Sequence, residues 1–206
     1  MTIQRFFDNP HFRAYVRLLF QLHRMIRVGT DETAEGEELR DQMDGPADHL
    51  DQDEIDCVKG ISADFYTLSD PPWQVQQPIL PTVREDMKEV LEARDAGAFV
   101  KALELLRKNQ VYHDTATVTY MRGRIWSEAR EREIAVQFFQ RAKELAPENG
   151  NYAASWLNAL RESQADEALR VAQSIIQQPT DHPPQFILQA ADVVLESTRL
   201  LPDEEE

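Results

Sequence analysis

The chain has 206 residues, 42% of them hydrophobic, which is enough for a packed core and argues against global disorder. Its formal net charge of −15 argues against a nucleic-acid partner, because phosphate recognition needs clustered Lys and Arg. With Cys57 as the only cysteine no intrachain disulfide can form, and no apolar run approaches the roughly 20 residues of a membrane span, so a cytoplasmic protein without a membrane partner is expected.

Charge is uneven along the chain. Residues 1–30 are basic, and residues 31–56 are acidic with Arg40 as their only Lys or Arg. Adjacent helices are expected to pair across this contrast. Phe12, Val16, Leu19, Phe20 and His23 recur at helical spacing, and so do Tyr15, Leu18, Leu22, Met25 and Ile26. So broad an apolar surface predicts a first helix sandwiched between neighbours and stopped at Gly29. A polar helix over about 32–43 is expected to end at Gly45-Pro46. Asp51 and Glu54 have the spacing of a capping box, in which each carboxylate satisfies a free amide at the helix start. The third helix then presents Ile55, Val58, Ile61, Phe65 and Leu68 to the core. Residues 1–69 therefore read as a small helical module.

Residues 70–81 (DPPWQVQQPILP) carry four prolines, which remove donors and hold the chain extended. They read as a linker, tacked down by Trp73 and Ile79. Helical patterning resumes at a second capping-box pair, Thr82 and Glu85, and runs to about Leu201. Breaks near Gly97, Asp114, Arg130, Pro147–Gly150, Ser163 and Pro179–Pro184 cut residues 82–201 into seven short helices. Residues 202–206 form an acidic tail.

Three segments of this region align: AGAFVKALELLRKN, EREIAVQFFQRAKELAP and ADEALRVAQSIIQQP. Their anchoring alanines, Ala102, Ala135 and Ala168, are spaced by 33 residues, a period that signals stacked helical hairpins. In the middle unit Gly123, Trp126, Ala135, Phe139, Ala142 and Pro147 fall in register with the small, aromatic and helix-ending positions of the tetratricopeptide-repeat family, which this unit resembles. The flanking units match less well: Val90 stands where a small residue is usual, and Trp156-Leu157 replaces the usual large-small pair. The run ISADFYTL, residues 61–68, resembles segments that precede such repeats in uncharacterised bacterial proteins and carries no known activity. The expected fold is all-α: an N-terminal helical module, a linker, about three tetratricopeptide-like hairpins forming a solenoid, and a capping helix over about 184–200.

The resemblance implies a noncatalytic adaptor that binds a protein or peptide in a concave groove lined by the first helix of each hairpin. Carried over by position, the groove residues are Arg84, Met87, Leu91 and Arg94 in the first hairpin. They are Thr117, Tyr120, Arg124 and Ser127 in the second, and Asn151, Ala154, Asn158 and Arg161 in the third. Arg84, Arg94, Arg124 and Arg161 stand out in so acidic a chain, since guanidinium groups pair with carboxylates. Tyr120 supplies an aromatic platform and Asn158 an amide. An acidic or C-terminal peptide segment is therefore the expected partner. The family's carboxylate clamp uses Lys and Asn at positions held here by Met87, Leu91, Met121, Asn151 and Ser155, so that chaperone-tail specialisation is not expected. The apolar Met87 and Leu91 suggest that the linker or the N-terminal module covers part of the first hairpin.

No motif for catalysis stands out. There is no Gly-x-Ser-x-Gly, the seven glycines are scattered, and the histidines (His11, His23, His49, His113, His182) are never three or four apart. The acidic run 51–56 lacks the Gly and Glu of a calcium loop, with Asp56 and Ser62 at those positions. No catalytic residue, metal or cofactor is expected. The alternatives are a ligand-binding or enzymatic site between the N-terminal module and the repeats, and a structural homo-oligomer, for instance through the acidic tail in a neighbour's groove.

Overall fold

A computed structural model describes residues 6–76 and 83–199, with side chains except those of residues 83–86 and 198–199. Arg84, Ile79, the Thr82–Glu85 pair and the acidic tail, as side chains, lie outside what is described. Among the described residues the chain is all-α, with no strand: α1 (Pro10–Val28), α2 (Ala34–Ala47), α3 (Gln52–Tyr66), α4 (Val83–Asp95), α5 (Phe99–Asn109), α6 (Thr115–Glu128), α7 (Arg132–Leu145), α8 (Gly150–Ser163), α9 (Ala165–Gln177) and α10 (Pro184–Arg199). None of these helices is long and apolar enough to cross a membrane. Two compact units divide at Asp114 and Thr115. This partition differs from the expected break at residues 70–81, because the α4–α5 hairpin belongs to the first unit.

In the first unit α1 packs against both α2 and α3. Phe12, Val16, Leu19, Phe20 and His23 are all buried, as the periodicity predicts, while the five residues of the second stripe are half-buried. Asn9 caps α1, its side chain accepting from the His11 amide, and Gly29 ends it with φ +71°, the left-handed conformation that glycine adopts without a Cβ penalty. Asp51 and Glu54 do form the capping box at the start of α3. Glu54 is buried because both of its carboxylate oxygens are used: Oε2 accepts from the Asp51 amide at 3.0 Å and Oε1 from Asn9 Nδ2 at 2.7 Å. The α1 cap and the α3 cap are thus one network.

Two expectations need correction here. The second helix does not stop at Gly45-Pro46 but runs to Ala47. Proline costs most in a helix interior; in this last turn only one further residue follows it, and His49 Nδ1 joins the Gly45 carbonyl at 3.0 Å. Ile55 is 37% exposed, because the first turn of α3 gives its inner position to Glu54 instead. Residues 71–76 are fastened, as expected of Trp73: its indole donates to the His113 carbonyl at 2.9 Å and the Gln76 amide to the Val111 carbonyl at 2.8 Å. Met87 and Leu91 are half-buried.

A buried ion pair ties α3 to α5. Arg107 donates through Nε and one terminal nitrogen to the two oxygens of Asp64, at 3.1 and 2.8 Å, and the Asp64 side chain is 1% exposed. Gly60 makes room for it, since a Cβ there would run into a terminal nitrogen of Arg107.

His23 sits in the α1–α3 interface, with Nε2 2.9 Å from Ser62 Oγ and the rings of Phe65 and Tyr66 set edge-on to its own. Burial first, and then the charge of Arg27, lowers its pKa from the usual 6.5. The unfolded chain therefore takes up this proton at a higher pH than the folded one. The stability His23 contributes is complete above about pH 6.5 and is lost as pH falls below it, by at most about 1.4 kcal/mol per pH unit. Urea unfolding of His23→Gln is expected to show a shallower loss of stability between pH 7.5 and 5.5 than the unsubstituted chain. Equal slopes would contradict this.

The second unit stacks α6 to α10 in chain order, each packed on the next, with α8 also packed on α10. Ala135 and Ala168, with Ala102 of the first unit, are buried at equivalent positions of α7, α9 and α5. Gly123 lets α7 approach α6: a Cβ there would lie 2.7 Å from the Phe139 ring. Trp126, Phe138, Ala142 and Leu157 complete the core. Pro147 follows α7, and the Pro183 carbonyl accepts the first amides of α10.

Candidate functional site

The second unit carries a cleft of about 490 Å³ between α6, α8 and α10. Six of the eight groove positions carried over for α6 and α8 line it: Tyr120, Arg124, Ser127, Asn151, Ala154 and Asn158. The one-face spacing of three and four residues along each helix brings them together.

The cleft is built on an aromatic floor. Tyr120 stacks on Tyr152 with centroids 4.5 Å apart and tilts against Phe139 at 5.5 Å. The phenol groups are held from the facing helix, Tyr120 Oη to Ser155 Oγ at 3.3 Å and Tyr152 Oη to Thr117 Oγ1 at 3.1 Å. These cross-helix bonds engage both phenol groups. Tyr152, Ser155, Asn149 and Gln189 also line the cleft, and sequence reasoning did not select them as binding residues. Tyr152 was legible in principle, as an aromatic in the first turn of α8 one period beyond the Thr117–Tyr120 turn.

Charge makes this cleft unlike the rest of the chain. No Asp or Glu lines it, although the net charge is −15. Arg124 is half-buried in the wall, and no ion pair or hydrogen bond holds it among the described residues. Arg122, two residues earlier, is fully buried in the core instead.

The other predicted arginines are engaged differently. Arg94 belongs to the first unit; its side chain is 12% exposed and donates twice to Asp95 Oδ1, at 2.9 and 2.7 Å. Its charge is neutralised by its own neighbour, so it is no open groove cation. Arg161 lines a second cleft of about 500 Å³ formed with α9 and α10. It is ion-paired with Glu196 and donates to Asn158 Oδ1 at 2.8 Å. Asn158 itself faces the first cleft.

Elsewhere the chemistry is quiet. Burial foremost, and then Glu104, push the Cys57 thiol up to about 12, so it stays protonated and a poor nucleophile. Lys143 lies 3.8 Å over the Trp156 ring and is half-buried, so its cation is occupied by its own chain. Among the described residues no three His, Cys, Asp or Glu side chains are grouped to hold a metal ion. Comparison with protein-family models, with curated proteins and with solved structures finds no match.

Proposed function

We propose that this protein is a noncatalytic interaction adaptor of tetratricopeptide-like build, which takes an acidic peptide segment of a protein partner in the α6–α8–α10 cleft. The observation that carries this reading is Arg124: a cation with no partner among the described residues, in an acid-free cleft, in a chain of net charge −15. Desolvated guanidinium groups of this kind are typical anchors for carboxylates. The tyrosine floor supplies apolar contact at low entropic cost, and the amides on α8 suit the polar backbone of an extended peptide. A single cysteine kept as thiol suits a reducing compartment, and the cytoplasm is the location that this reading supports.

Arg124→Glu reverses the one open charge among the described residues of the cleft without touching the core. Affinity capture from native lysate, read by mass spectrometry, is expected to lose the partners that the unsubstituted chain retains. The loss should be at least about tenfold, since like charges across an interface cost several kcal/mol. Undiminished recovery would refute the reading.

A further inference from the structure

Arg161 and Glu196 do not line the α6–α8–α10 cleft, and the inference drawn from them rests on the reading just given. Asn158 has both a donor and an acceptor end, and either could face the cleft. Its neighbour decides between them. A guanidinium has only donors, so the Asn158 atom bonded to the Arg161 terminal nitrogen at 2.8 Å must be the carbonyl oxygen. The NH₂ end is then the one left for a ligand. Arg161 is in turn held by its ion pair with Glu196 on α10. Asn149 is committed in the same sense, its Oδ1 accepting from the Asn151 amide at the start of α8. Both of these asparagines line the cleft with Arg124, each with its oxygen already engaged, and no carboxylate lines it.

We propose that Glu196 and Arg161 act as a relay that fixes Asn158 as a hydrogen-bond donor into the cleft, so that the cleft distinguishes a carboxylate from the corresponding amide. A carboxylate accepts from Arg124 and Asn158 alike. A glutamine side chain has one accepting oxygen, so where the two donors meet opposite ends of the planar group its own NH₂ comes against one of them. Without Arg161, the Asn158 amide turns freely, and its oxygen can meet the NH₂ of a glutamine. Arg161 and Glu196 are positioning residues here. Their ion pair is partly exposed, with side chains 30% and 54% exposed, so neither partner is left as a fully buried charge when the other is removed and the unit is expected to stay folded.

The test uses the full chain and two fluorescein-labelled heptapeptides, one rich in glutamate and the other with each glutamate replaced by glutamine, with binding read by anisotropy. The unsubstituted chain is expected to prefer the glutamate peptide by roughly tenfold or more. Arg161→Leu and Glu196→Gln are expected to shrink that ratio to about threefold or less, chiefly by improving the glutamine peptide. Arg161→Lys, which still can only donate, should restore most of the ratio. Equal weakening of both peptides, or a ratio unchanged in both variants, would overturn the relay while leaving the cleft reading intact. Failure of the unsubstituted chain to bind either peptide, or binding insensitive to Arg124→Glu, would overturn both.

Discussion

Arg107→Met is expected to destabilise the first unit by about 3 kcal/mol, the low end for breaking a buried pair, because the guanidinium is 26% exposed while the carboxylate it leaves behind is 1% exposed. The methionine preserves the stem's packing on α3, so the loss reports the two N–H bonds to Asp64 rather than a cavity. Gly60 supplies an internal check. Gly60→Ala sets a methyl against the Arg107 terminal nitrogen and should drive the guanidinium off Asp64. In an Arg107→Met background that obstruction disappears, so the alanine should then cost much less than it does alone. Urea unfolding followed by the fluorescence of Trp73 would measure all three chains. Additive costs for Gly60→Ala and Arg107→Met would show that the pair is not what holds α3 to α5.

Gly123→Val should destabilise the second unit by about 3 kcal/mol, because overpacking of this kind forces off-rotamer side chains or a backbone shift. A side chain at 123 meets Phe139 Cδ1 at 2.7 Å and Cε1 at 2.8 Å, and that ring is itself wedged against Tyr120 with 3% exposure. Glycine is otherwise a poor helix residue, by about 1 kcal/mol relative to alanine, so a stabilising Gly123→Ala would mean that the space exists after all. Relief of the cost by Phe139→Leu in the same chain would localise the clash. Because Phe139 also lines the cleft, displacement of its ring is expected to disturb the tyrosine floor as well.

The features legible in the sequence are those written in short-range spacing. The buried face of α1, the Gly29 stop, the Asp51–Glu54 box and the breaks between α4 and α10 all follow from local patterns along the chain. The cleft was legible for the same reason: Tyr120, Arg124 and Ser127 share one face of α6, and Asn151, Ala154 and Asn158 one face of α8. What sequence reasoning missed depends on pairs far apart in the chain. Asp64 meets Arg107 across 43 residues, Asn9 meets Glu54 across 45, and Arg161 meets Glu196 across 35. No periodicity marks such partners, so a buried carboxylate and an engaged arginine both look like surface charge. Arg94 shows the opposite failure. Consecutive helical residues normally diverge, but Asp95 is the last residue of α4, where the side chain can turn back onto its neighbour. The prolines of residues 70–81 suggested a domain boundary because they exclude helix; Trp73 was legible as an anchor of the segment, whereas the Gln76 backbone amide, which also binds it to the turn after α5, was not.

Everything proposed for the second unit turns on Arg124 as the anchor of its cleft. A matched capture experiment with Arg124→Glu and Arg170→Glu, which make the same change of charge, tests that role without intermediaries. Arg170 is exposed on α9 and paired with Glu167, away from the cleft lining. Arg170→Glu is expected to retain the partners of the unsubstituted chain, and Arg124→Glu to lose them by about tenfold or more. Equal retention by the two variants, or equal loss, would show that Arg124 anchors nothing.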